Sequence, residues 1–252
     1  MSQVEEPNSQ QETFISHLVE LRTRLMRSML AMLIVFFALF YWARDIYTFL
    51  AAPLMSALPE GSSMIATEVT APFFVPIKVT LMVSFLIALP YILWQIWSFI
   101  APGLYQNEKK LVLPLAVSSF ILFFIGMAFA YFAVFPVVFG FLAKMTPDGV
   151  SMMTDIDKYL SFTLTMFLAF GITFETPVIV LVLVSMGVFT LEQLRNARPY
   201  IIVGAFVIAA IFTPPDVVSQ LFLAFPLWLL YEFGMFLAGF LKKSREENKV
   251  EA

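Results

Sequence analysis

Cysteine is absent from the 252 residues, histidine occurs once, and only 13% of the chain is charged. Each scarcity excludes a chemistry. Without cysteine there is no disulfide, no iron–sulfur cluster and no thiolate zinc site, while the compartment stays open. A lone His17 cannot build a histidine-based metal cluster or serve a His-dependent triad. No glycine-rich loop is present to cradle phosphates, so the chain is not expected to hydrolyse nucleotide. No Ser–Lys or paired-Asp arrangement within the apolar segments suggests intramembrane proteolysis. The expectation is a non-enzymatic protein without metal or cofactor. A net charge of −3 and the lack of a basic tract argue against nucleic acid as a partner. The start of the chain, "MSQVEEPNSQQETF", is acidic and polar, without the basic region and short apolar core of a cleaved leader. The first apolar segment is therefore expected to remain in the mature protein.

What is abundant is apolar surface: 60% of residues are hydrophobic and the mean hydropathy is +0.87. A soluble domain carries about 25% charged and about 45–50% apolar residues, so a chain of this kind belongs in a bilayer. Six segments read as spans. They are Ser28–Ala43, Val79–Ile100, the 33 uncharged residues between Lys110 and Lys144, Tyr159–Met186, Tyr200–Phe212 and Val217–Leu241. The fold class is thus all-α and polytopic, a six-helix bundle with its last two spans short. Tyr200–Phe212 has only 13 residues, stopped by Pro199 before it and "TPPD" after it. About 20 helical residues are needed to cross a bilayer, so local thinning is expected around it. The division is a single membrane domain over 1–252: a polar tail (1–13), the bundle (14–241) and a charged tail (242–252), without internal repeats.

An even number of spans puts both termini on one side. Eleven of the 15 basic residues lie on that side, among them Arg22, Arg24, Arg27, Lys109, Lys110, Arg195 and Arg198. Arg44, Lys78, Lys144 and Lys158 lie opposite. The positive-inside rule therefore predicts cytoplasmic termini. The 34-residue stretch Arg44–Ile77, with Pro53, Pro59, Gly61, Pro72 and Pro76, is then the largest extracytoplasmic loop and reads as a proline-stiffened cap.

Four features could carry function. In "SHLVELRTRL", Phe14, Leu18, Leu21 and Leu25 recur at helical spacing and Glu20 stands four residues before Arg24. This is either an exposed ion pair or a platform that offers Glu20 to a cationic ligand. In "FIAPGLYQNEKK", Glu108 lies near a helix start, where the macrodipole alone is a sufficient reason for a carboxylate. Glu175, in "GITFETPV", stands deep in the fourth span, where an ionisable group is costly unless paired, hydrated or protonated. Thr173, Thr176 and the helix break expected before Pro177 suggest a polar concavity. Glu232, nearer the end of the sixth span, can be functional or can snorkel. In "FTPPDVVSQ", Asp216 fits an N-cap and Gln220 needs a partner for its amide within the membrane.

Taken in order, "SHLVELRTRL", "APL", "PFFVPIKV", "FIAPGLYQNEKK", "YLSF…FGITFETPV" and "RPYIIVGAFVIAAIFTPPDVVSQ" resemble the TatC family from about Phe14 to Leu241. TatC is the multi-spanning subunit of the twin-arginine protein translocase. The resemblance implies a concave six-helix bundle with cytoplasmic termini in a bacterial inner membrane. It also implies a receptor that binds twin-arginine signal peptides and, with TatA and TatB, moves folded proteins using the proton-motive force. Other TatC copies and lipid are further implied partners. Glu20 and Glu108 match the family's signal-binding glutamates; Gln95, Phe99, Leu21 and Arg22 fall on the same surface. Glu175 matches the polar residue of the concave groove. Pro53, Tyr131, Asp216 and Gln220 match positions tied to activity or partner contact, and Ala210 and Thr213 are expected to contact a partner's transmembrane helix together with Gln220.

The chemistry is consistent with that match. Arginine binds a carboxylate through a planar fork, whereas lysine is a point donor, so two glutamates suit two guanidinium groups. Arg22, Arg24, Lys109 and Lys110 are expected to repel other cationic segments. The signal's apolar segment is expected to lie against the bundle along the Glu175 groove. The rival reading is a proton-coupled secondary transporter with Glu175 as relay; the absence of paired interrupted helices in the two halves weighs against it.

Overall fold

The computed structural model describes residues 9–49, 65–100, 112–144, 153–213 and 217–250, and apart from one isolated bridge between Ile65 and Asp155 its regular structure is helical. The elements are α1 (Ser9–Leu39), α2 (Ala71–Ile100), α3 (Val112–Phe129), α4 (Phe135–Lys144), α5 (Ile156–Phe174), α6 (Thr176–Ser185), α7 (Leu191–Phe212) and α8 (Val217–Val250). A 3₁₀ turn at Phe40–Trp42 continues α1, a π turn at Ala130–Val134 joins α3 to α4, and α5 and α6 meet at Glu175. Among the described residues there are six helices long and apolar enough to cross a membrane, as the sequence predicts.

Proline explains two of the joints. Pro136 lacks an N–H, and inside a regular helix its ring would clash with the carbonyl four residues earlier. The π turn widens the helix at that point, with the Phe135 N–H reaching the Ala130 carbonyl. Pro177 opens α6 at its second position, where a missing N–H costs little. The fifth span departs from expectation. Pro199 does not stop it: α7 begins at Leu191, after a capping box in which Thr190 Oγ1 accepts from Gln193 N and Gln193 Oε1 accepts from Thr190 N. The helix is 22 residues long, about 33 Å. Its uncharged part is still Tyr200–Phe212, because Arg195 and Arg198 lie within the helix.

In lipid, association rests on close packing and satisfied polar groups rather than on expelled water. The first span packs chiefly on α2, α2 on the third and fourth spans, and α6 and α7 on α8. Small residues permit the closest approaches. Gly126 lies against the Phe170 backbone carbonyl, Gly171 against the Phe123 ring, and Gly234 against Pro177. Two buried hydroxyls of α2 return to their own helix: Thr80 Oγ1 donates to the Pro76 carbonyl and Ser84 Oγ to the Thr80 carbonyl, both at 2.7 Å. The first span has little such burial; among its described side chains only Ser28 and Ala43 are buried.

The loop side opposite the termini is tied down by polar contacts. Asp155 caps α5 by accepting from Asp157 N (2.9 Å) and Lys158 N (3.0 Å). Its other oxygen accepts from Thr67 N and Thr67 Oγ1. Lys78 adds an ion pair to Asp157 at 2.6 Å. The segment leading into α2 is thereby fixed to the start of the fourth span.

Candidate functional site

The end of α1 that bears "SHLVELRTRL" packs beside the end of α2, and their polar side chains form one cluster. Glu20 Oε1 accepts from both Arg24 Nη2 (2.6 Å) and Arg24 Nε (2.9 Å). Arg24 Nη1 donates to Gln95 Oε1 at 3.1 Å, across the helix interface. The His17 ring stacks on Phe99, centroids 4.2 Å apart, and its Nδ1 lies 3.9 Å from Glu20 Oε2. The i,i+4 spacing aligns Glu20 and Arg24 on one helix face, and the aligned α2 turn brings Gln95 and Phe99 to it. Glu20 and Arg24 remain partly exposed, while Gln95 is buried. Leu21 and Arg22 are exposed on the same turns of α1.

The structure therefore brings Glu20, Gln95 and Phe99 into one cluster. The Glu20–Arg24 ion pair, one of the two readings of that stretch, is formed, and Arg24 in addition reaches Gln95 on α2. His17 was legible only as a solitary histidine, and nothing in the sequence pointed to its stacking on Phe99. Glu108, Pro53 and Asp216 lie outside the described residues.

Glu175 sits at the joint between α5 and α6. Its N–H donates to the Ile172 carbonyl (3.0 Å), and its carbonyl accepts from Ile179 N (3.0 Å). The break lies at Glu175, two residues ahead of Pro177, as the proline rule predicts. Its side chain turns toward the third span, where it faces the Ser119 hydroxyl. Glu175 Oε1 is buried without a hydrogen-bond partner among the described residues. Ser119 also accepts from Trp97 Nε1 at 3.1 Å, so a polar chain runs from α2 through α3 to this joint. A largely apolar cavity of about 560 Å³ opens on the other side of the joint, lined by Thr173, Thr176, Ile179, Gln193, Ile208 and Tyr231 among others. Glu175's neighbours line it, whereas its own carboxylate does not.

The remaining positions separate by burial. Ala210 is exposed on α7, whereas Thr213 is buried with its Oγ1 donating to the Ala209 carbonyl (2.8 Å). Gln220 Nε2 donates to the Phe206 carbonyl at 3.3 Å, which supplies the amide with a partner inside the bundle. Tyr131 lies in the π turn, partly exposed, with its ring 6.3 Å from that of Phe135 and 6.5 Å from that of Phe167. Glu232 pairs with Arg198 at 2.6 Å. That partner was hidden in the sequence because the two residues belong to different spans.

The chain is similar to known proteins over nearly its whole length. The family model described as Sec-independent protein translocase protein (TatC) matches residues 16–226. The Sec-independent protein translocase protein TatC of Azotobacter chroococcum mcd 1 is 54% identical over 241 residues, which cover 95% of this chain and 94% of the relative. That of Escherichia coli strain K12 is 52% identical over 239 residues, covering 94% and 93%. A crystal structure of the twin arginine translocase receptor TatC superposes with a TM-score of 0.79 at 44% identity, covering 89% of this chain and 98% of that one.

Proposed function

The chain belongs to the TatC family of Sec-independent protein translocase proteins, and from that premise we propose that it is the receptor for twin-arginine signal peptides on folded precursors. The observation that carries this reading is the Glu20 carboxylate, which already grips a guanidinium through two hydrogen bonds at a partly exposed helix end. A carboxylate in that setting is suited to arginine by geometry and charge together. Glu108 supplies the second carboxylate of the pair, Phe99 adds its ring to the surface, and buried Gln95 anchors Arg24 beneath it. The solved receptor of the same family, 44% identical to this chain, supports extending that role here.

The protein sits in the bacterial inner membrane with both termini in the cytoplasm, which places the signal site where precursors arrive; the excess of basic residues on the terminal side supports this orientation. It works with TatA- and TatB-type single-span subunits and further copies of itself, driven by the proton-motive force. The apolar segment of the signal lies along the bundle near the cavity between the fourth, fifth and sixth spans, whose lining suits it. The family match displaces the transporter reading.

The test is photo-cross-linking from positions 20 and 108 to precursors bearing paired arginines or paired lysines. Cross-links are expected with the arginine signal and to weaken with lysine. Glu20→Gln and Glu108→Gln should each abolish arginine-signal cross-linking, read from a probe at a neighbouring position, while leaving membrane insertion intact. Undiminished cross-linking in either variant removes that glutamate from the site.

A further inference from the structure

The proposed site is not empty of guanidinium: Arg24 from the same helix occupies it. Two of its donors, Nε and Nη2, converge on one oxygen of Glu20 at 2.9 and 2.6 Å, and its third contact, Nη1 to Gln95 Oε1, is 3.1 Å long. The arrangement links two acceptors on two helices through one cation. We propose that Arg24 is an internal competitor for Glu20, displaced by an incoming arginine and retained by Gln95 when it lets go. This rests on the reading of Glu20 as part of the signal site.

Three features support exchange rather than a fixed brace. First, the pair is partly open to solvent, with 36% of the Glu20 side chain and 23% of that of Arg24 exposed. Ion pairs of that kind are weak, because water screens them and two long side chains must be held in one geometry. Second, Gln95 is buried and fixed on α2, so it offers Arg24 an acceptor that does not depend on Glu20. Third, the competitor has the chemistry of the ligand. A substrate arginine replaces both hydrogen bonds that Arg24 gives up. A substrate lysine displaces the same fork but returns a point donor without its planar geometry. Arg24 therefore lowers the apparent affinity for both ligands by the same factor, and only arginine restores the fork that is given up. It acts as an internal brake on signal binding, in addition to any contribution of its charge.

The experiment measures binding of a labelled twin-arginine signal peptide, and of its twin-lysine counterpart, to the full chain in lipid nanodiscs. Arg24→Lys is the decisive variant because it keeps the charge and removes the fork. It should bind the arginine peptide about two- to fivefold tighter, the range set by a partly exposed pair. It should gain by the same factor for the lysine peptide, leaving the preference unchanged. Gln95→Leu should weaken arginine-peptide binding in the parent chain and have no effect beside Arg24→Lys. Arg24→Lys that leaves both affinities unchanged, or weakens them as Glu20→Gln does, overturns the proposal. A Gln95→Leu loss that persists beside Arg24→Lys overturns it too, because Gln95 would then touch the ligand directly. Glu20→Gln separates the two failures. If it abolishes binding while Arg24→Lys is silent, only the competitor is refuted; if it changes nothing, the signal-site reading falls as well.

Discussion

Arg198 Nη2 lies 2.6 Å from Glu232 Oε2, and this pair joins α7 to α8 across 34 residues of sequence. Close by, buried Tyr231 donates its hydroxyl hydrogen to the Leu194 carbonyl at 2.8 Å, so the two helices are fastened at adjacent residues of α8. Glu232 is thus held by a structural partner. Because both side chains are partly exposed, the ion pair should contribute only about 0.2–1 kcal/mol. A double-mutant cycle with Glu232→Gln and Arg198→Gln, followed by thermal unfolding in detergent, should give a coupling in that range. A coupling of several kcal/mol would mean that the pair behaves as a desolvated one.

The second prediction concerns acid. Four hydrogen bonds from Thr67, Asp157 and Lys158 stabilise the charged form of Asp155 and hold its carboxyl well below the usual carboxylate range. A group whose pKa is lowered by folding stabilises the native state above its unfolded pKa, about 3.9 for aspartate. The contribution is lost progressively as pH falls from there toward the folded value. The Tm of the parent protein should therefore drop as pH is lowered below about 4. Asp155→Asn should have a lower Tm near neutrality and a flatter profile in that acid window. A parallel decline in both proteins would exclude Asp155 as the cause.

Much of the architecture was legible because a bilayer imposes a simple rule on the chain: backbone polar groups must be satisfied within helices, so long apolar runs must become spans. The positions of Glu20 and Arg24 on one face followed from the 3.6-residue period. The start of α7 was missed because Pro199 reads as a stop, whereas the capping box at Thr190 and Gln193 lies upstream of it in polar sequence. Glu175 reads as costly from its place in an apolar span, but the direction of its side chain is not legible there. Periodicity gives a helix its faces, but not which neighbour each face meets, and here Ser119 comes from the third span. The Arg24–Gln95 bond, across 71 residues, was hidden for the same reason.

The third prediction separates two glycines. A Cβ at Gly126 would run into the Phe170 carbonyl, which is held in the helical ladder and cannot move alone. A Cβ at Gly171 would come 2.5 Å from Phe123 Cζ, a side-chain atom, though of a buried ring. Overpacking typically costs about 1–3 kcal/mol. Gly126→Ala should lie toward the top of that range and Gly171→Ala lower, measured by unfolding in detergent. The reverse order would show that the Phe123 ring, rather than the backbone, is the rigid element at this interface.

The last prediction narrows the partner-facing surface of the fifth span. The sequence suggested Ala210, Thr213 and Gln220 together, yet Thr213 is buried and bonded to its own helix while Ala210 is exposed. Gln220 donates to Phe206, an intramolecular bond that a partner would have to displace or share. Because the chain contains no cysteine, each single-cysteine variant carries one thiol. Ala210→Cys should form a disulfide with a single-cysteine partner helix of the TatA or TatB type and should react readily with a small maleimide. Thr213→Cys should do neither until the protein is unfolded, when both should label equally. Cross-linking at position 213 with none at 210 would move the partner to the opposite face of α7 and require the contact with α8 to open.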